Sequence, residues 1–237
     1  MKNVINLIKL DYITVKNKSV PIIVIMIILG FAAGCTLFPL APIIITMFAG
    51  LCIQPIFAVA EQCGYNKLYG VLPVKRIQIV EARFTLAGIF LLVTAAVTTG
   101  LGMIAEKIIM NNENFIQEND AYELLTMMND AELTIPVMGA LFFAFGCFFI
   151  AAEGTLIFIF GTSKEIPAAI GFGLVFFSAV IAMVKIFDLS ADKIAKKLAP
   201  VLSDHKALLI LALYAIGIAL LVLGVLVSYM VTRKREL

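Results

Sequence analysis

Six apolar stretches alternate with polar ones along the chain. They occupy about 19–38, 40–60, 84–105, 135–160, 166–187 and 207–231. Each is near the roughly 20 apolar residues that carry an α-helix across a hydrocarbon core. Pro39 and Pro42 punctuate a very short connection between the first two, and Pro55 predicts a kink in the second. In the third, TAAVTTGLG (94–102) offers a small-residue face for close helix packing. GTSKE (161–165) predicts a tight turn between the fourth and the fifth. The expected architecture is all-α: one polytopic transmembrane domain over 1–237, with six spans.

The polar stretches have distinct characters. Residues 1–18 place Val4, Ile5, Ile8, Tyr12 and Val15 on one helical face, with Lys2, Lys9 and Lys16 as a stripe beside it. That pattern predicts an amphipathic helix in the membrane interface, its lysines toward anionic headgroups. Pro21 marks a break or a helix start. Residues 61–83, EQCGYNKLYGVLPVKRIQIVEAR, form a basic loop between spans two and three. Residues 106–134 are acidic, and 188–206 form a further polar segment.

Composition agrees with a membrane domain. The 237 residues are 62% hydrophobic and 14% charged, against about 45–50% and about 25% in soluble domains. There is no Trp, so interfacial anchoring falls to the 6 Tyr and to Lys and Arg. FAAGC (31–35) superficially looks like a lipoprotein cleavage site. The long apolar run before it and the span directly after it argue against both lipidation and a cleaved leader.

Charge sets the expected orientation. With both termini cytoplasmic, the inner side holds Lys2, Lys9, Lys16, Lys18, Lys67, Lys75, Arg76, Arg83, Lys164, Arg233, Lys234 and Arg235, twelve of the 18 bases. The outer side holds Lys107, Lys185, Lys193, Lys196, Lys197 and Lys206. This is the positive-inside bias of a multi-pass plasma-membrane protein, although 188–206 fits it poorly.

Candidate chemistry is sparse. No G-x-x-x-x-G-K-[ST] phosphate loop occurs anywhere in the chain. His205 is the only histidine and the 4 Cys form no C-x-x-C pair, so no metal site is expected. Glu153, in FFIAAEGTLIFIF, is the one clear ionisable residue inside a span. Such acids face a bundle interior or a wet cavity, which makes Glu153 a candidate for lining a substrate path or a subunit interface. A position near the inner membrane interface, with the span tilted or shifted, also explains it. Lys185, at a span end, reads as a snorkelling side chain, and FFAFGCFF (142–149) as a packing or lipid-facing surface.

The loop at 61–83 carries a family resemblance. Glu61, Gly64, Lys67, Leu72, Pro73, Arg76, Ile79, Val80, Ala82 and Arg83 resemble the pattern E-x-x-G-x-x-K-x-x-x-x-LP-x-x-R-x-x-I-V-x-A-K of type-2 ABC exporter permeases, with Arg83 in place of Lys and Val71 where a small polar residue is common. The chain looks like the small six-span permeases made separately from their ATPase, and resembles among them those of peptide exporters, including phenol-soluble modulin exporters. The resemblance implies that the loop forms a short cytoplasmic coupling helix docked on a separate ABC ATPase subunit, which binds the ATP and Mg. It also implies a second permease chain, expected as a homodimer. The residues suit that role. Tyr65, Leu68, Tyr69 and Leu72 recur at helical spacing as an apolar-aromatic knob, Pro73 ends it, and Lys67, Lys75 and Arg76 supply a charged edge.

The expected function is therefore a transmembrane permease subunit of an ATP-driven exporter in a bacterial plasma membrane. It has lipid and an ATPase as partners, no nucleic acid, no catalytic residue and no cofactor of its own. Its substrate is expected to be hydrophobic or amphipathic, and a peptide suits the apolar spans best. The alternative is a motor-independent membrane protein, such as a peptide-immunity or sensor subunit. An intramembrane enzyme would need a second acid, a His cluster or a nucleophile pair within the spans.

Overall fold

The computed structural model describes residues 4–13, 75–110, 134–161 and 205–234, with single helical positions at 21, 24, 25, 28, 57, 171 and 178. Within the four continuous stretches the regular structure is all helix: α1 (residues 4–13), α2 (Arg76–Met110), α3 (Ile135–Phe160) and α4 (Lys206–Lys234). The predicted spans at 19–38, 40–60 and 166–187 lie outside these stretches. Three helices are long and apolar enough to cross a membrane, over Ile77–Lys107, Ile135–Phe160 and Lys206–Arg233.

Local sequence explains the ends of α3. Thr134 is extended at φ −70°, ψ 154°, and Pro136 follows in the first turn, where a missing N–H costs nothing. Gly161 ends the helix at φ 77°, a conformation that glycine adopts without strain, and its N–H donates to the Ile157 carbonyl at 2.8 Å. The predicted span at 135–160 therefore coincides with α3, while the predicted turn at 161–165 lies outside the described residues beyond Gly161.

The start of α2 departs from expectation. The third span is predicted from Phe84, yet the helix begins at Arg76. Ile77, Val80, Phe84 and Ala87 recur at helical spacing; Val80, Phe84 and Ala87 are buried and Ile77 is half-buried. Polar residues of 76–83 fill the remaining positions and disguise that period as a loop. Gln78 fixes the first turn: its side-chain Oε1 accepts from the Lys75 N–H at 3.2 Å, and its own N–H donates to the Lys75 carbonyl at 2.9 Å.

Contacts along the helices give their directions. Arg83 meets Phe158, Phe84 lies against Gly154, and Thr99 against Gly139, so α2 and α3 are antiparallel. Gly217 meets Phe143 and Cys147, Gly224 meets Ala151, and Thr155 meets Ser228, so α3 and α4 are parallel. Leu221 packs on Gly88 and Phe84 on Gly224, making α2 and α4 antiparallel. Lys75, Gly161 and Arg233 thus share one end of the bundle, here termed the loop-proximal end. Lys107, Thr134 and His205 share the other.

The shared core contains Phe57, Val80, Phe84, Leu86, Ala87, Leu91, Ala95, Phe143, Cys147, Ile150 and Ile157. The Phe-rich run is divided: Phe143 is buried, Phe145 is exposed, and Phe148 and Phe149 pair edge-on at 5.9 Å. α4 is the most exposed of the three long helices, and its outward face carries apolar residues such as Leu208, Leu211, Val222, Leu223, Leu226 and Met230. That is the composition expected where a helix meets lipid.

Candidate functional site at the loop-proximal end

Most of the predicted docking residues, Tyr65, Lys67, Leu68, Tyr69, Leu72 and Pro73, lie outside the described residues. Lys75 is exposed just ahead of α2. Arg76 is the first helical residue rather than part of a loop. The basic stretch therefore runs directly into a continuous helix of 35 residues, about 52 Å long.

Just inside this end stands an aromatic cluster. Phe57 meets Phe84 edge-on at 5.6 Å and Phe158 edge-on at 5.7 Å, while Phe84 and Phe158 stack at 6.3 Å. Gly154 makes room for it: a Cβ there would lie 2.9 Å from the Phe84 ring and 3.2 Å from that of Phe57. The guanidinium of Arg83 sits over the Phe158 ring at 5.7 Å, within cation–π range.

Arg83 is the unexpected member of this cluster. Counted in the sequence as an inner-side loop base, it lies in the second turn of α2 and is buried at 6% exposure. Asp11 on α1 is buried to the same degree, at 5%. Neither was singled out by the sequence reading as a buried charge. The available signal was helical spacing: Asp11 follows Leu7 by four residues, and Arg83 follows Val80 by three.

α1 rests on the same turns of α2. Leu7 and Ala82 form a small buried cluster joined by Val4, Ile8, Leu10 and Ile79, and Tyr12 meets Phe90 at 6.3 Å between ring centroids. The face turned to the protein carries Val4, Leu7, Ile8 and Asp11. The predicted apolar face instead included Ile5 and Tyr12, which are exposed. Packing against α2 chooses the Leu7–Asp11 side and leaves Ile5 and Ile13 outward, with Tyr12 exposed at the edge of the contact beside Phe90, while Lys9 is exposed as the lysine stripe requires. Val15 and the remainder of 1–18 lie outside the described residues.

Glu153 is half-buried on α3, beside Gly154. Advancing 100° per residue, it falls roughly 140° around the helix from Phe158, on the flank away from Ala151 and Thr155, which face α4. It is engaged by neighbours. The structure does not bring it together with Lys75 at the basic stretch. Its depth, eight residues before Gly161, is roughly 12 Å along the helix.

Among the described residues no group of His, Cys, Asp and Glu is arranged to hold a metal ion. Lys75, a buried arginine, an aromatic cluster and an N-terminal helix instead lie toward one end of the helical bundle.

A family model described as ABC-2 family transporter protein matches residues 6–234. No curated protein and no solved structure matches the chain. The match spans α1, the basic stretch and all three long helices, and the chain belongs to the ABC-2 family of transporter membrane proteins.

Proposed function

We propose that the chain is the permease subunit of an ATP-driven exporter, which moves a hydrophobic or amphipathic substrate, best a peptide, out of a bacterial cell. The family match over 6–234 carries this reading. The sequence has no phosphate loop, so the energy source is a separate ABC ATPase that binds the ATP and Mg. Two permease chains pair, and each presents its 61–83 segment to one ATPase. The knob of Tyr65, Leu68, Tyr69 and Leu72 fills a groove on the ATPase, with Pro73 as its stop and Lys67, Lys75 and Arg76 at its rim. The loop-proximal end is then cytoplasmic, in agreement with the basic residues near it. Closure of the ATPases pushes on α2, whose helix begins within that segment, at Arg76.

The parallel packing of α3 and α4 supports six spans, since residues 161–205 must return the chain to the far end before α4 begins. The apolar character of the spans supports a lipophilic cargo, with Glu153 a candidate for its path.

The test is co-purification of the full chain with candidate ATPases. Tyr69→Ala with Arg76→Ala is expected to weaken the complex by about 30-fold, the loss of one strong interface anchor, and to abolish permease-stimulated ATP hydrolysis. Unchanged binding and hydrolysis would overturn the docking assignment. A chain that binds its peptide with no ATPase at all would favour an immunity or sensor role.

A further inference from the structure

The three long helices are not joined alike. α3 and α4 hold to each other over much of their length. Phe143 lies against Gly217 and pairs with Tyr214 at 4.8 Å between ring centroids. Gly224 lies against Ala151, and Thr155 Oγ1 shares a hydrogen bond with the buried Ser228 Oγ at 3.1 Å. Ring contact, close backbone approach and a polar bond thus join these two helices into one body.

α2 is fixed to that body near its start. The buried Phe84 ring rests against Gly154 of α3 and Gly224 of α4, with Phe57 and Phe158 around it. Leu221 packs on Gly88 one turn further, and α1 bears on the same part of α2 through Ala82 and Phe90. Fifteen residues beyond Phe84, roughly 22 Å along the helix, α2 lies against α3 again through Thr99 and Gly139. This second seam differs in kind. Thr94 and Thr98 return their hydroxyls to the carbonyls of Phe90 and Thr94, each at 2.8 Å. The Thr99 Oγ1 is turned to Gly139 instead, and it is buried with no hydrogen-bond partner. A buried hydroxyl without a partner disfavours the arrangement that buries it. Parting of the seam removes that penalty, because the hydroxyl can then meet water or turn back to the Ala95 carbonyl, as Thr94 and Thr98 turn to theirs.

We infer that α2 is a lever on the α3–α4 body: Phe84 in its socket of Gly154 and Gly224 is the pivot, and the seam of Thr99 with Gly139 is a latch that parts when the far half of α2 swings. Both Phe84 and Thr99 are positioning residues. A tilt of about 15° moves Thr99 by roughly 6 Å and leaves Phe84 in place. Force arriving at Arg76 acts on the short arm, and the long arm opens the far end of the bundle. This consequence for transport rests on the exporter reading above; the lever itself does not.

Spin-label distances in the full chain, in lipid nanodiscs and without any ATPase, test the lever. With the native cysteines replaced, one pair of labels goes to the exposed Met103 and Leu211 in the far half, and another to the exposed Ile89 and Leu223 near the pivot. Gly139→Ala wedges the seam, since its Cβ would overlap Thr99 Oγ1. It is expected to lengthen the Met103–Leu211 distance by roughly 4–6 Å, because packed seams switch rather than stretch, and to leave the Ile89–Leu223 distance unchanged. Adding Thr99→Ala is expected to reverse the shift. Phe84→Leu is expected to broaden the Ile89–Leu223 distribution instead. Equal shifts of both pairs, or no shift of either, would overturn the lever.

A disulfide staple tests its role in transport. A Cβ at Gly139 would stand 3.3 Å from the Thr99 Cβ, close to the roughly 3.5–4.5 Å that a disulfide spans. In proteoliposomes with the ATPase, oxidised Thr99→Cys with Gly139→Cys is expected to lower transport roughly tenfold, with ATPase binding intact and transport restored by dithiothreitol. Oxidised Thr155→Cys with Ser228→Cys, a staple within the α3–α4 body, is expected to leave transport within about twofold. Equal effects of the two staples, or none from the first, would overturn the lever's part in transport. A wedge response in a chain that no ATPase binds would uphold the lever and count against the exporter reading.

Discussion

At the scale of single residues, close approach between helices sets the sensitive positions. A Cβ at Gly224 would lie 2.9 Å from the Ala151 Cβ and 3.0 Å from its Cα, and backbone cannot swing aside as a flexible side chain can. Gly224→Val is expected to destabilise the chain by about 1–3 kcal/mol, as overpacking of a close contact does. Gly100, on α2, has nothing within 4 Å of the same hypothetical atom. Gly100→Ala is expected to stabilise by about 0.4–1 kcal/mol, because the unfolded chain loses freedom while the helix loses nothing. Thermal unfolding in one detergent checks both, and equal shifts of the two variants would contradict the packing described. Gly139 gives a paired test. Its Cβ would overlap Thr99 Oγ1, so Gly139→Ala is expected to destabilise alone and to be largely rescued by Thr99→Ala, an interaction that a double-mutant cycle reads. The contact between Thr155 Oγ1 and Ser228 Oγ, at 3.1 Å, lies at the same α3–α4 seam as Gly224. Its removal is expected to cost only about 0.6 kcal/mol, the average for such bonds in membrane bundles.

At the scale of elements, legibility followed the strength of local punctuation. The span at 135–160 was readable because Pro136 and Gly161 bracket an uninterrupted apolar run. The last span, predicted over 207–231, was readable from its run of Leu, Ile, Val and Ala, and α4, Lys206–Lys234, begins just before it and ends just after it. The start of α2 was not, since Arg76, Gln78, Glu81 and Arg83 interrupt the apolar period just where a third membrane span was being sought. Burial of Asp11 and Arg83 was unreadable for a different reason. A charge becomes buried only when separate helices close over it, and neither α1 nor α2 contains that information alone. Their own periods mark them as near the packed faces, no more. The same applies to Gly154, whose neighbours Phe57 and Phe84 come from other parts of the chain. The continuous α2 also has a mechanical consequence on the exporter reading. A helix without a break carries displacement along its axis, whereas a proline removes a backbone bond and kinks it. Glu81→Pro is expected to leave ATPase binding in place while lowering transport per ATP at least fivefold, measured with purified complex in proteoliposomes. Transport equal to wild type would mean that α2 is not the transmitting rod.

At the scale of the whole molecule, helix direction constrains topology more firmly than charge does. The bases of 188–206 argue against placing that segment outside, which weakens an orientation drawn from charge alone. The contacts of α3 with α4 bypass that difficulty: the two helices run parallel in one bundle, an arrangement read from packing and independent of charge. α2 and α3 are antiparallel, so residues 111–133 connect at the far end, opposite Lys75 and Arg233. The ends therefore sort into two sets that are fixed relative to each other. Single cysteines, introduced with the native four replaced, make this measurable in intact cells and in inverted vesicles. Cysteines at Lys9, Lys75 and Arg233, all exposed, are expected to react with an impermeant maleimide from the cytoplasmic side only. Cysteines at Lys107 and His205, also exposed, are expected to react from the outside only. If every site reacts from the reverse side, the bundle stands inverted in the membrane and the positive-inside argument fails while the fold stands. If Lys107 and His205 react from opposite sides, α2 and α4 cannot be antiparallel neighbours in one membrane domain, and the bundle described is wrong.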